Sequence, residues 1–170
     1  MRVVTTANIF PGTILIDSRE QHFYTFREIP KDRTEGGGTW QVLTKTVGLA
    51  SGDYSLHGFA DKIAVERKSL ADLFSTIGQG RDRFERELER LDAMEFAAVV
   101  VEAEWSSIIN EPPRHSNLTA KTIFRSVLAW QQRYPRCHWL FVPGREMGER
   151  TTFRILERFM KENAAKERAK

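Results

Sequence analysis

The residues best suited to chemistry in this sequence are two acids, Asp53 and Glu66, and a lysine, Lys68. Residues 54–57 and 62–66 alternate apolar and polar side chains on either side of a glycine-containing turn, which predicts a β-hairpin. With a symmetric loop, Asp53 lies directly opposite Glu66, and Lys68 projects on the same side because side chains alternate along a strand. The opposite side of the hairpin is then apolar and consists of Tyr54, Leu56, Ile63 and Val65.

Two carboxylates held side by side repel each other, and a protein tolerates them when a cation lies between them, most often a metal with oxygen ligands such as Mg²⁺. The hairpin therefore predicts a metal site. A lysine beside that metal can hold or deprotonate a water molecule, or neutralise negative charge that builds up on a phosphorus centre. For Glu-x-Lys alone, the favoured interpretation would be a surface hairpin with a salt bridge between Glu66 and Lys68.

The wider pattern is more specific than the hairpin. Gly52-Asp53, Glu66-Arg67-Lys68 and Asp72 together resemble the GD…ERKxxxD signature of the XPF-type structure-specific nucleases, which belong to the restriction-endonuclease-like superfamily. Asp17-Ser18-Arg19-Glu20 resembles the D-x-R-E element of the same family, and Gly80-Arg81 resembles its G-R element. The resemblance covers most of the chain.

The resemblance implies Mg²⁺ as the cofactor, with Mn²⁺ as a substitute, and DNA as the substrate. The implied reaction is phosphodiester hydrolysis in branched or flapped DNA that leaves a 5′-phosphate and a 3′-hydroxyl, in repair, recombination or replication. The implied roles are metal ligation by Asp53, Glu66 and the backbone carbonyl of Arg67, water handling by Lys68, accessory acids at Asp17 and Glu20, and a phosphate contact by Arg81.

Several of these residues also have a purely structural interpretation. Asp17 could cap a helix that has Glu20 at its third position. Asp72 falls at the third position of a helix that Ser69 would cap, so it could serve the cap alone. The charged face of the following helix could pair with itself at four-residue spacing, Asp82 with Arg86 and Arg83 with Glu87.

Three alternatives to an XPF-type nuclease remain open. The chain could be an inactive DNA-binding or partner-binding domain, although such family members have lost the acidic and ERK residues. It could also be a Holliday-junction resolvase or a restriction-type nuclease with the same metal site.

Eukaryotic and archaeal family members continue into paired helix-hairpin-helix motifs, for which this chain has no room. We therefore expect a compact bacterial or viral version that selects substrates through a homodimer or an accessory partner.

Composition places the chain among intracellular globular proteins. With 170 residues, 41% hydrophobic and 29% charged, it fits a single domain, and a net charge of +3 agrees with a polyanionic substrate. Cys137 is the lone cysteine and lies in an apolar run, which predicts a buried strand thiol in a reducing compartment. The four histidines are not at zinc spacing, and neither a membrane span nor a secretory leader is predicted. A bacterial or viral protein of this kind would be cytoplasmic or nucleoid-associated.

The predicted elements follow an α/β order, with a central mixed sheet, an antiparallel hairpin and flanking helices, which the resemblance identifies as a restriction-endonuclease-like core. A lead-in segment covers residues 1–12, the nuclease domain 13–163 and a charged tail 164–170. Residues 40–47 are predicted to form a strand that continues into the hairpin as a three-stranded meander. The remaining predictions are strands at 13–16, 96–101 and 137–142, and helices at 69–77, 81–93, from 118 or 119 to 134, and from 146 or 150 onward.

Overall fold

A mixed seven-stranded β-sheet forms the middle layer of the structure, a computed structural model that describes residues 8–169. The strands are β1 (Ile9–Asp17), β2 (Ile29–Pro30), β3 (Thr39–Val47), β4 (Tyr54–Leu56), β5 (Ile63–Lys68), β6 (Phe96–Val101) and β7 (Cys137–Phe141). The helices are α1 (Leu70–Ile77), α2 (Arg81–Asp92), α3 (Trp105–Asn110), α4 (Ala120–Arg133) and α5 (Gly144–Arg168).

The strand order across the sheet is β2-β3-β1-β4-β5-β6-β7. Strand β4 is antiparallel to both of its neighbours, β1 and β5, whereas β5, β6 and β7 are parallel to one another and are joined by helices. The short hairpin therefore connects the part of the sheet that contains β1 to the parallel part. The predicted mixed sheet with an antiparallel hairpin is confirmed.

The predicted meander is wrong, because β1 lies between β3 and β4. Strand β1 pairs in parallel with β3 on one side and antiparallel with β4 on the other. It also begins at Ile9 instead of Thr13, with a register shift between those residues at Pro11-Gly12. Residues 9–12 of the expected lead-in thus belong to the sheet, and the rest of that segment, apart from Asn8, lies outside the described residues.

Helices cover both faces of the sheet. The buried strands therefore have apolar side chains on both of their faces. In β6, Ala97, Val99 and Val101 face the core under α1, α2 and α4, whereas Ala98 and Val100 face the core under α5. Every one of these five side chains is fully buried. The unbroken apolar run of β6 is therefore explained by its place between two helical layers.

The ends of the helices follow local signals in the sequence. Ser69 caps α1, where its hydroxyl accepts from the Asp72 amide at 3.1 Å and the Asp72 carboxylate reaches back to Ser69, as expected for a capping box. Helix α5 begins at Gly144 and continues to Arg168, so the boundary predicted at residue 163 is not a structural break. None of the helices between residues 8 and 169 combines the length and the apolar character that a membrane span requires.

Candidate active site

The hairpin of β4 and β5 brings the predicted acids to one cleft. Tyr54 pairs with Val65, which is the predicted register, and the four apolar residues of the hairpin are buried in the core under α5. The regular ladder ends at that pair. The Asp53 amide donates to the carbonyl of Val65, at 2.9 Å, and not to that of Glu66, the residue expected opposite it. Asp53 Oδ2 accepts from the Arg67 amide at 2.7 Å, so the carboxylate of Asp53 lies against the strand that contains Glu66.

Asp53 has a strongly perturbed acidity. Burial and, after it, the nearby Glu66 carboxylate raise its pKa to about 8, although the hydrogen bond from the Arg67 amide acts in the opposite direction. Glu20 adds a smaller repulsion. Asp53 and Glu66 thus form a part-buried pair of acids, and ionisation of both is unfavourable without a cation.

Lys68 is the ammonium group nearest to the acidic pair. Its Nζ donates to Glu66 Oε1 at 2.7 Å, and each of the two side chains is only 12% exposed. The same Nζ lies 4.4 Å from the centre of the Phe84 ring, on helix α2. The salt bridge expected from Glu-x-Lys therefore exists, but it is formed inside the cleft and not on an exposed surface.

Arg67 points to the other side of β5 from Glu66 and Lys68, where its guanidinium forms two hydrogen bonds with Glu102, at 2.8 and 2.7 Å. Glu102 follows β6, is 8% exposed, and also accepts from the Tyr24 hydroxyl at 2.7 Å. Burial lowers the pKa of Arg67, but the bonds to Glu102 outweigh it and the net shift is upward. Gly148 of α5 lies so close to Tyr24 and Glu102 that any side chain there would collide with the tyrosine hydroxyl.

Asp17 and Glu20 line the same cleft as Asp53. The Asp17 amide donates to the Asp53 carbonyl at 2.8 Å, which fixes the end of β1 beside the acidic pair. Burial raises the pKa of Asp17, but the paired Arg19 guanidinium outweighs it and lowers the pKa overall. Glu20 lies 3.8 Å from the Arg67 guanidinium. Both predicted accessory acids are thus placed at the site, and their roles stay predictions.

The turn before Asp53 requires glycine. Gly52 has φ +72°, a left-handed conformation that residues with a side chain rarely adopt, and an added Cβ would approach Ala64 Cβ to 2.9 Å. The Gly52 amide donates to Glu87 of α2, which the sequence pattern had assigned to a self-paired surface. The glycine of the GD motif is therefore explained by backbone geometry.

Arg81 is turned away from the acids. Its guanidinium donates to the Ser126 hydroxyl at 2.5 Å and lies over the Trp130 ring of α4, 5.0 Å from the ring centre. Arg81 thus lies outside the residues that line the cleft, and its phosphate contact stays a prediction. Arg83, two residues later, lines the cleft and makes no hydrogen bond or ion pair with any residue from 8 to 169.

The cleft has a volume of about 1000 Å³ and a predominantly polar lining. Within residues 8–169, no group of three or more His, Cys, Asp or Glu side chains is placed to hold a metal ion. The predicted ligand set is smaller, with two carboxylates and a backbone carbonyl. The raised pKa of Asp53 beside Glu66 shows an excess of acidic charge that a divalent cation would relieve, so Asp53 and Glu66 fit a metal.

The ERCC4 domain family matches residues 16–153. The chain belongs to the ERCC4 domain family. This confirms the resemblance to XPF-type nucleases that the GD and ERK residues predicted. No curated protein matches the chain in sequence.

Two similar solved structures are of XPF from Aeropyrum pernix. One has a TM-score of 0.59 and 22% identity and covers 87% of this chain and 61% of that one. The other, a complex with DNA, has a TM-score of 0.58 and 22% identity and covers 89% of this chain and 66% of that one. The chain thus spans less than two thirds of either XPF chain. The likeness confirms the fold, an α/β restriction-endonuclease-like domain.

Proposed function

We propose that the chain is a metal-dependent DNA endonuclease that hydrolyses phosphodiester bonds, with Mg²⁺ as the cofactor and Mn²⁺ as a substitute. The observation that carries the proposal is the meeting of Asp53, Glu66 and Lys68 in one cleft of an ERCC4 domain. The part-buried, mutually repelling carboxylates supply a reason for a cation, and the lysine supplies a donor beside it.

In this mechanism Asp53 and Glu66 would hold the metal, together with the backbone carbonyl of Arg67. The chemistry that a divalent cation would supply there is neutralisation of charge on the scissile phosphate and a lower pKa for a water molecule. Lys68 donates a hydrogen bond to the attacking water and orients it toward phosphorus. As the new oxygen–phosphorus bond forms, the attacking water releases a proton to solvent and the bond from phosphorus to the 3′ oxygen breaks, and that oxygen takes up a proton from solvent to give the 3′-hydroxyl.

The residues behind the acids keep this arrangement in place. The Arg67 amide donates to Asp53, while the Arg67 side chain is held in place by two charged hydrogen bonds to Glu102. Asp17 is neutralised by Arg19 and stabilises the backbone at Asp53 through its amide. We assign Asp17 and Glu20 as accessory acids that set the charge of the site.

We propose DNA with flaps, forks or other branches as the substrate, in repair, recombination or replication. The open cleft beside Arg83 can admit a phosphate backbone, and a similar XPF structure contains DNA. The signature of the ERCC4 family supports a branched substrate over a plain duplex.

The test is cleavage of labelled flap, splayed-arm, four-way and plain duplex DNA by the full chain, with Mg²⁺ and with EDTA. Loss of a residue that only supports a metal ligand typically lowers activity by roughly 10- to 100-fold. Because Asp53 is itself a proposed metal ligand, we expect Asp53→Asn to lower the cleavage rate by more than that. The control is Asp61→Asn, because Asp61 is an exposed acid in the loop of the same hairpin. This variant should cleave at the wild-type rate.

Two outcomes would contradict the proposal. If the wild type binds these DNAs but cleaves none with Mg²⁺ or Mn²⁺, the chain is an inactive binding domain. If it cleaves only four-way junctions or a fixed sequence in duplex DNA, it is a resolvase or a restriction-type nuclease. Mapping of the product ends checks the expected 5′-phosphate and 3′-hydroxyl.

A further inference from the structure

Helix α2 holds the turn that precedes Asp53. Glu87 Oε1 accepts a hydrogen bond from the Gly52 amide at 2.8 Å. The other oxygen of Glu87 pairs with the Arg90 guanidinium, and Arg90 Nε donates to the hydroxyl of Ser51 at 3.2 Å. Ser51 is 3% exposed. Two charged side chains one turn apart on α2 therefore bind two consecutive residues of the turn.

The sheet alone does not fix this turn. Its last contacts are at Asp53, whose amide bonds to Val65 and whose carbonyl accepts from Asp17. Gly52 lies one residue beyond them, has no side chain, and adopts a left-handed conformation that only its own backbone contacts can maintain. Loss of the Glu87 acceptor would leave the part-buried Gly52 amide without its partner and would release the chain just before the acid.

Glu87 is not arranged as a metal ligand or a catalytic acid. Although it lines the cleft, one of its oxygens is used by Gly52 and the other by Arg90. Arg19, on the rim of the same cleft, adds a second attractive charge. The carboxylate of Glu87 is thus committed to the turn and is neutralised there.

We infer that Glu87 is a positioning residue for Asp53, which it acts on through Gly52, and that Arg90 holds Glu87 in place. This inference rests on the proposed metal-dependent nuclease function. Helix α2 then has a second task besides packing, because it sets the position of one of the two acids that bind the metal. The substitutions that test it leave both acids and Lys68 intact.

The experiment compares Glu87→Ala and Glu87→Gln with Glu89→Ala in the full chain. Glu89 is the matched control, because it is an exposed glutamate on the same helix and does not line the cleft. The readouts are the hydrogen-exchange rate of the Gly52 amide in metal-free protein by NMR, the Mg²⁺ dissociation constant by calorimetry, and cleavage.

For Glu87→Ala we expect Gly52 exchange to be faster by about 10-fold, the equivalent of one lost hydrogen bond. The Mg²⁺ dissociation constant should rise by roughly 10- to 100-fold, as for other residues that position metal ligands. Glu87→Gln should lie between wild type and alanine, because its amide oxygen still accepts from Gly52 while the ion pair with Arg90 is lost. Glu89→Ala should match the wild type in all three readouts.

The inference is overturned if Glu87→Ala binds Mg²⁺ as tightly as the wild type, whether or not Gly52 exchange changes. It is also overturned if both Glu87 variants lose Mg²⁺ affinity while Gly52 exchange stays at the wild-type rate, since the effect would then not pass through the turn. If the wild type itself neither binds Mg²⁺ nor cleaves DNA, the proposed function and the inference fail together. Should Glu87→Ala not fold, Glu87→Gln decides by the same criteria.

Discussion

Lys68 lies between a carboxylate and an aromatic ring, and this position favours a role in chemistry over one in stability. Its ammonium is hydrogen-bonded to Glu66 and lies over Phe84, which keeps it at the cleft without burying it completely. The side chains of this ion pair are each 12% exposed, so the desolvation of both charges offsets much of their attraction and the net contribution to stability is small, on the order of 1 kcal/mol. The position of the ammonium beside the acidic pair is therefore of more consequence than the strength of its salt bridge.

We expect Lys68→Ala to abolish turnover, with a fall in kcat of at least about 100-fold, because a charged donor aimed at the reacting groups is lost. DNA affinity should change by less than about threefold and the Tm by only a few degrees. The control is Lys62→Ala, which removes a lysine from the other end of β5 that pairs with Glu95 at 3.5 Å. Single-turnover cleavage, DNA binding and thermal unfolding provide the measurements. A loss of unfolding free energy as large as the loss of activation free energy would contradict a catalytic lysine.

The acidity of Asp53 predicts how the stability of the metal-free protein depends on pH. Its pKa is raised to about 8 by burial and by Glu66, whereas in the unfolded chain it is about 4. Between these values the folded protein holds a proton that the unfolded chain has released, so the free energy of unfolding falls as pH rises from about 4 to about 8. Asp53→Asn should flatten this dependence, and Asp61→Asn should not. Denaturant unfolding in EDTA across this pH range tests it, and equal slopes for wild type and Asp53→Asn would contradict it.

The sequence was most informative where the site is local. Asp53, Glu66 and Lys68 lie in one hairpin, so the period of the strands and the length of the loop were sufficient to bring them together. Glu102 and Glu87 could not be assigned in this way, because their partners are 35 residues away and depend on how β6 and α2 pack. A charged residue directly after a buried strand, as Glu102 is, was the one available signal.

At the scale of elements, the turn before β4 can be tested with a pair of glycines. Gly52→Ala combines a left-handed backbone with a clash against Ala64, whereas Gly58→Ala has the same backbone strain, φ +84°, in open space. We expect Gly58→Ala to cost about 1 kcal/mol of unfolding free energy and Gly52→Ala to cost clearly more, about 2 to 4 kcal/mol. Denaturant unfolding measures both. Equal costs would show that the close approach to Ala64 relaxes without penalty.

Helix α2 offers a test of which arginine contacts DNA. Arg83→Ala should weaken DNA binding and lower the slope of log affinity against log salt by about 0.9, the loss of one phosphate contact. Arg86→Ala is the matched control, because it is exposed on the same helix outside the cleft. Arg81→Ala should mainly lower stability, since Arg81 packs on Trp130 and Ser126. If Arg81→Ala changes the salt slope and Arg83→Ala does not, then Arg81 and not Arg83 makes the phosphate contact, as the sequence predicted.

Four helices, α1, α2, α4 and α5, and the buried strands β6 and β7 were predicted nearly as observed, because caps, periodic apolar stripes and unbroken apolar runs are local signals; the short helix α3 was not predicted. The order of strands was not predicted either. Consecutive strands usually pair, which favoured a meander of β3, β4 and β5. The parallel pairing of β1 with β3 depends instead on a crossover through β2 and on the core under α5, for which no short stretch of sequence is diagnostic.

At the scale of the whole molecule, the apolar side chains that the helices leave exposed limit where a second copy could bind. The apolar stripe of α4, which ends in Tyr134, is buried in the core and is not available to a partner. The apolar residues that α4 leaves exposed are Phe124, 48% exposed, and Leu128, 39% exposed, one turn apart. Phe124 also contacts Trp105 edge to face. Any association through α4 would therefore use this exposed pair.

If the chain forms a homodimer, we expect the double substitution Phe124→Ser and Leu128→Ser to weaken it by 10-fold or more, because two apolar side chains return to water. Sedimentation equilibrium of the full chain measures the dissociation constant. Leu43→Ser, which removes a 48% exposed apolar side chain from β3, is the control. A dimer that survives the double substitution would place the interface elsewhere.

The absence of a side chain at Gly148 has a consequence for genetic screens. Helix α5 packs on the layer of the sheet opposite α2, yet its backbone at Gly148 abuts the Tyr24 and Glu102 side chains that fix Arg67. Any larger residue at position 148 would displace the Tyr24 and Glu102 side chains, and Arg67 with them. A screen for inactive variants would then report a position on α5, and its effect would come from the displacement of Arg67, with no need for a DNA contact by that helix.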